Sequence, residues 1–356
     1  MESFTPVLEA FTEKTGIEVE YRIYRAEDLA TILPAQFESG MAPADVIFMW
    51  AWWIANNTDH ILDVSDVINP DDFMPGTVDQ VTVDGKIYGA PYTGKVKPGF
   101  WYRISFFEEH NLEVPTTWAE FETLLETISE IPGIEAPIAS GDGVGWPLSD
   151  VTEHFILTFG GTELFQGLID GSVSWTSDEV KAIFRDKLVP LLKAGYFSEP
   201  KDWTLILEDW WEGTHALYFM GSWITGMVDN ASDLGVFSLP GAEAFVFGPD
   251  FMFIPKYTEY PAEAKELVKF LSGAEGQTIQ VKQGGHIATN LGVKLDDYPE
   301  VDKRVAQLLE GATAVTDLDD TVGGEFQTTF WDQLKYLWVH PDEWEDVLAN
   351  IEAKAP

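Results

Sequence analysis

Apolar and polar positions change period several times in the first fifty residues, and each change predicts a different element. Val7, Leu8, Ala10 and Phe11 make a helical stripe behind Thr5-Pro6, read as an N-cap and a first-turn proline, and Gly16 stops it. "IEVEYRIY", residues 17–24, alternates with period two, as a half-buried strand does. Residues 27–39 read as a second helix, with Gly40 at its end. "ADVIFM", residues 44–49, is a continuous apolar run, which predicts a central parallel strand covered on both faces. Helix, strand, helix and strand in that order make an α/β layer pattern.

The later chain repeats these signals. Thr117 and Glu120 in "TTWAEF" form a capping box ahead of a helix reaching about Ser129, and Thr176 and Glu179 form another ahead of a helix over 180–194. "FVFGPDFMFIPK" alternates and ends at a proline turn, and "PAEAKELVKFLSG" is an amphipathic helix from Pro261 closed by Gly273. Helices are expected over 326–338 and 341–353. No repeat and no low-complexity linker marks a domain boundary, which fits domains joined by strands rather than by a loose tether.

Composition adds constraints. The chain has 356 residues, 45% of them hydrophobic, ample for a real core and for about two domains. No run of about 18 apolar residues spans a membrane, and "MESFTPVLEAF" lacks the charged and apolar regions of a signal peptide. Cysteine is absent, so disulfides and thiolate metal sites are excluded. Sixty acidic residues against 21 basic ones give a net charge of -39, which argues against nucleic acid as a partner. The acids are dispersed among Trp, Phe and Leu, so they coat a fold rather than form a disordered tail. Self-repulsion on that scale destabilises a compact state unless salt screens it, and at molar salt the Debye length is only about 3 Å. The charge therefore points to a protein of a halophile.

No strong catalytic motif is present: there is no GxSxG elbow, P-loop, HExxH or EF-hand loop, and no two histidines stand at i, i+4. "GDGVG", residues 141–145, lacks the Lys-Ser/Thr ending of a phosphate loop and is not read as one that opens a helix directly after a strand. Neither a cofactor nor a metal is expected. What recurs is an aromatic residue beside Gly, Pro and polar residues in loop-like segments: "MWAWWIANN", "APYTGKVKPGFW", "GDGVGWPLSD", "YFMGSWITG", "VFGPDF" and "TVGGEFQTTFW". An indole face covers the apolar face of a pyranose ring, while carboxylates and amides take its hydroxyls, whose desolvation is otherwise costly. Core packing is the competing account of any single tryptophan; the whole set favours a carbohydrate ligand.

These segments lie within a wider likeness. "VLEAFTEKTGIEVEY", "LPAQFESGMAPADVIFMW", "VDGKIYGAPYTG", "WYRISFFEEHNLEVPTTWAEF", "ALYFMGSWI" and "FIPKYTEYPAEAKELVKFLSGAEGQ" follow one another as in family 1 extracellular solute-binding proteins, the sugar receptors of ABC importers, and the chain resembles that family over nearly its whole length. Archaeal glucose and oligosaccharide receptors are the nearest in character. The resemblance implies an α/β, two-lobed fold of the type II periplasmic-binding-protein kind, with crossing strands and a ligand cleft between lobes. Lobe one is then 1–94 plus 236–288, and lobe two 95–235 plus 289–356. The family opens with a strand ahead of the first helix; here that strand, the export signal and the lipid-anchoring cysteine are absent from the sequence, and Arg103 stands where Lys is common.

The resemblance, with the residue types, assigns ligand contacts to Trp50 and Trp52, to Tyr92, Thr93 and Lys95 at the first crossing, and to Trp146 and Asp150 in lobe two. Trp223 is the expected stacking platform, Asp250 an acceptor at the second crossing, and Glu325 and Gln327 further contacts, with Arg25 and Glu27 weaker. Trp53 is assigned to packing, and Asp150 has an equal alternative as the N-cap of "VTEHFIL". The expected protein is a monomeric, cell-surface receptor that hands a glucose-like sugar or gluco-oligosaccharide to an ABC permease by lobe closure, without bond chemistry. The rival is a secreted glycoside hydrolase or lyase using Asp150, Asp250 or Glu325, since hydrolases need two carboxyls about 5 to 9.5 Å apart.

Overall fold

The computed structural model describes residues 4–143, 145–309 and 312–356, apart from the side chains of Glu27, Leu308 and Leu309. The chain forms two compact units, Met1–Lys95 with Gly248–Lys303, and Val96–Phe247 with Arg304–Pro356. The first crossing lies one residue beyond the expected one, and the other two lie later still. The second unit keeps Leu234–Phe237 because that strand pairs with Gly99–Arg103. The first unit holds the start of 289–303 through Gln277, whose Oε1 accepts from the N–H groups of Thr289 and Asn290 at 2.8 and 3.0 Å.

In the first unit, helix Thr5–Thr15 buries Val7, Leu8 and Phe11. It stops at Gly16, whose φ of 77° only glycine adopts without strain and whose N–H bonds Thr12. Phe4 rather than Thr5 occupies the cap position. Residues 17–24 form no strand: Tyr21, Ile23 and Tyr24 are exposed. Alternation fits a pleat, but a ladder also needs a neighbour to bond, and none of the described residues supplies one. Helix Ala26–Glu38 follows. The run 44–49 shortens to strand Ile47–Met49, which pairs antiparallel, Ile47 against Phe253 and Met49 against Phe251, so the expected parallel strand is corrected. The sheet runs in the order Ile47–Met49, Ala244–Phe253, Ala90–Val96, Ile287–Ala288. Helix Pro261–Ser272 packs Phe270 on Phe11 at 5.5 Å between rings.

The second unit is built on a sheet of Leu234–Phe237, Gly99–Arg103, Leu217–Met220 and Ile138–Ala139, antiparallel except for its last pair. Over it lies helix Trp146–Asp170, broken at Gly161. The capping box of Thr117 and Glu120 is present at helix Trp118–Ser129. The second expected box does not form: Ser177 caps helix Asp178–Ile183 by accepting from the N–H of Val180, whose apolar side chain cannot complete a box, while the Thr176 hydroxyl is engaged with Ser174 at 2.9 Å. That helix widens into a π-turn over Phe184–Leu188 just ahead of Pro190, which has no N–H to return to Asp186 and whose ring would crowd that carbonyl. Helices Gly324–Val339 and Trp344–Glu352 close the chain. "GDGVG" does lie between a short strand, Gly141–Asp142, and a helix, but that helix opens on Trp146 with no basic residue to hold phosphate, and Val144 lies outside the described residues. No described helix is long and apolar enough to cross a membrane.

Candidate ligand-binding site

In the first unit, strand Ile47–Met49 delivers the chain to Trp50, which is extended (φ −62°, ψ 143°) and caps helix Ala51–Asn56. The indoles of Trp50 and Trp52 stack 5.6 Å apart at 14°, both partly exposed. Trp53 is buried, its ring 5.6 Å from that of Phe253 and 6.2 Å from that of Phe37. The division between the pair and Trp53 is thus the expected one, but alternation in an extended chain does not cause it. The helix begins at Ala51, and the non-helical cap residue lets the Trp50 ring fall onto Trp52. The Trp52 indole N–H is sealed and meets no acceptor among the described residues.

The two crossing strands place Lys95 and Asp250 together, Nζ to Oδ2 3.4 Å, both partly exposed. The pair offers an ammonium and a carboxylate, the groups that grip sugar hydroxyls. Tyr92 and Thr93 on the same strand as Lys95 are corrected to packing. Both are fully buried, the Tyr92 hydroxyl donating to Gln280 Oε1 at 2.9 Å and the Thr93 hydroxyl meeting His286 Nδ1 at 2.8 Å. Arg25 is exposed ahead of helix Ala26–Glu38, and the side chain of Glu27 lies outside those described.

In the second unit three half-buried tryptophans meet. Trp146 opens its helix behind Gly145, Trp203 opens helix Trp203–Glu212 behind the capping Asp202, and Trp223 lies in the turn Ser222–Gly226 after strand Leu217–Met220. Trp146 meets Trp203 edge-on at 5.5 Å and Trp223 at 5.6 Å. Glycine is required at two places: a Cβ on Gly221 would stand 1.9 Å from the Trp223 ring, and one on Gly145 would stand 2.5 Å from Trp331. Trp203 escaped the sequence reading, although a tryptophan directly after a capping aspartate was a usable sign. Asp202 Oδ1 takes the N–H of Thr204 at 2.9 Å and of Leu205 at 3.4 Å.

Asp150 is neither an open ligand contact nor an N-cap, because the helix begins four residues earlier. It is buried and ion-paired with Lys97, which also bonds Asp317. Asp317 caps helix Leu318–Val322 through the Asp320 N–H at 3.0 Å. Glu153, one turn beyond Asp150 and fully buried, accepts from the Leu318 N–H at 3.2 Å. Gln327 belongs to this buried network, its amide donating to Asp319 at 3.2 Å and to Asp320 at 2.6 Å. Glu325 points to the surface and pairs with Lys354 at 2.6 Å. Burial works against the Lys97 ammonium, but Asp150 and Asp317 outweigh it and hold its pKa well above the usual value. Burial pushes Asp150 up to about 7, against the pull of Lys97, and Asp319 up to about 6. Burial, then the charges of Asp317 and Asp319, raise Glu153 well above the carboxylate range. Lys97 was missed because its partners lie 53 and 220 residues away.

Each unit therefore carries a partly exposed aromatic group built on glycine or a helix cap, and the first adds a charged pair. The carboxylates proposed for hydrolysis are tied differently: Asp150 is buried on Lys97, Asp250 faces Lys95, and Glu325 is on the surface. Comparison with known proteins agrees with a binding role. A family model described as bacterial extracellular solute-binding protein matches residues 1–278. An uncharacterized ABC transporter extracellular-binding protein of Pyrococcus horikoshii is 56% identical over 360 residues, covering 100% of this chain and 86% of that protein. The structure is similar to that of the bacterial solute receptor AcbH, with TM-score 0.87 at 18% identity over 99% of this chain and 94% of that one. It is similar also to maltose-bound MalE3 of T. maritima, with TM-score 0.78 at 21% identity over 98% and 94%. The fold is the α/β periplasmic-binding-protein fold of these receptors. The family places its members outside the cytoplasmic membrane as components of ABC importers, and this chain belongs to that family of extracellular solute-binding proteins.

Proposed function

We propose that the chain is a cell-surface, monomeric sugar receptor that binds a glucose-like monosaccharide or a gluco-oligosaccharide and delivers it unchanged to an ABC permease by lobe closure. The observation that carries this reading is the meeting of Trp146, Trp203 and Trp223, three half-buried indoles from three separate elements. A core would seal such rings, whereas a sugar platform leaves their faces open. The stacked pair of Trp50 and Trp52, partly exposed, supports the same chemistry. The Lys95–Asp250 pair adds hydroxyl-binding groups. Sugar drawn to groups on both units favours whichever arrangement lets both bind at once, which is how binding becomes a signal to a permease.

The test is a thermal-shift panel of glucose, maltose and longer gluco-oligosaccharides in molar KCl, followed by product analysis of each hit. A receptor is stabilised by one or more of them and returns the sugar intact. Turnover that disappears in Asp250→Asn or Glu325→Gln would make the protein a glycoside hydrolase, and a panel without any hit would remove glucose-like sugars as its cargo.

A further inference from the structure

The buried network of the second unit contains more acid than its donors can serve. Glu153, Asp317 and Asp319 each bring a carboxylate oxygen within 4.8 Å of the others. They come from two helices, Glu153 from Trp146–Asp170 and the aspartates from the cap and first turn of Leu318–Val322. Lys97 serves Asp150 and Asp317, and the Gln327 amide serves Asp319 and Asp320. Two oxygens remain. Glu153 is fully buried, and its Oε1 has no hydrogen-bond partner among the described residues; Asp150 is 1% exposed, and its Oδ2 has none either. An ionised carboxylate with an unserved oxygen is expensive inside a protein, so such groups are paired or coordinate a metal.

We propose that Glu153, Asp317 and Asp319 hold one calcium ion. The donors are all carboxylate oxygens, the hard ligands Ca²⁺ prefers, with no histidine or cysteine among them. Ca²⁺ takes about 6 to 8 oxygens at roughly 2.3 to 2.6 Å, so two oxygens on one ion stand at most about 5 Å apart, and the observed 4.8 Å limit satisfies this. Mg²⁺ is the poorer fit, since it demands a near-ideal octahedron and gives up water reluctantly. Lys97 keeps its bonds to Asp150 and Asp317, while the ion neutralises the remaining acid. The ion ties helix Leu318–Val322 to the helix that Trp146 opens, so it braces one member of the aromatic cluster without touching a sugar. A proton shared between Glu153 and Asp319 is the competing occupant.

The experiment uses the full chain, stripped with EDTA and returned to molar KCl near neutral pH, and titrated calorimetrically with CaCl2 and separately with MgCl2. The site predicts saturable uptake of one Ca²⁺ per chain, weaker uptake of Mg²⁺, and a melting temperature raised by about 4 °C at a hundredfold excess over Kd. Glu153→Gln and Asp319→Asn lose the uptake and the shift, whereas Glu325→Gln, at the surface, keeps both. Absence of uptake by the wild-type chain, unsaturable binding to many weak sites, or full uptake by Glu153→Gln overturns the proposal. Should the two variants fail to fold, the stoichiometry and EDTA reversal of the wild-type titration decide alone.

Discussion

The rings of Trp146 and Trp223 meet edge to face with 5.6 Å between centroids and 61° between planes, two indoles more than seventy positions apart brought together by a helix start and a turn. Both rings remain partly exposed. Trp223→Ala should therefore weaken sugar binding by about 2 to 4 kcal/mol, the scale of an aromatic hot spot. Trp53→Ala, which empties a buried site against Phe253, should instead cost about 3 to 5 kcal/mol of stability and leave affinity nearly unchanged. Calorimetric binding and chemical denaturation of both variants check the pair, and a Trp223 variant that loses as much stability as the Trp53 variant would reduce Trp223 to core.

Lys97 is the sole ammonium bonded to Asp150 and Asp317 among the described residues. Lys97→Met leaves both carboxylates without it and should destabilise the fold by about 3 to 5 kcal/mol. Adding Asp150→Asn removes one of the stranded charges and should restore part of the loss. Denaturation midpoints of the single and double variants read this directly, and strict additivity would contradict a coupled network.

His215 gives the fold a pH dependence. The ring is buried, with Nδ1 2.9 Å from the Ala136 carbonyl and Nε2 without a partner among the described residues, and burial lowers its pKa below the usual 6.5. The folded state keeps the ring neutral where the unfolded chain takes up a proton. Below pH 6.5 the unfolded state therefore binds more protons, and this contribution to stability falls as pH drops toward the folded pKa. Denaturation in molar KCl between about pH 7 and pH 5 should show a smaller loss in His215→Gln than in the wild type. Equal slopes would assign the ring no part in it.

The charge of -39 makes a separate prediction. Stability should climb from low salt to molar KCl as screening removes repulsion among carboxylates. A melting temperature that stays level over that range would remove the case for a halophile.

Local signals in the sequence carried most of the helices. The Thr117–Glu120 box, the Gly16 stop and the stripe of Pro261–Ser272 are each set within a few residues, so their physics is visible in a short window. Strands were less legible, because pairing is settled by distant partners. Residues 17–24 alternate without a described neighbour, and Ile47–Met49 runs antiparallel because its partner is Phe251–Phe253. The same division holds at the candidate site. Gly221 beside Trp223 could be read as a place of close approach, whereas Asp150 could not be seen as buried while its partner Lys97 was unknown. Tyr92 and Thr93 read as contacts because polar aromatics and hydroxyls near a glycine suit a sugar equally well as they suit Gln280 and His286.

The near-parallel stack of Trp50 on Trp52 has an optical consequence. Two indoles held at 5.6 Å couple their electronic transitions, so the pair should add to the ultraviolet circular dichroism a contribution that neither ring produces alone. Removing either tryptophan should delete this contribution while leaving that of the Trp146 cluster, so the difference spectrum between the wild type and Trp52→Ala reports on the pair without an added label.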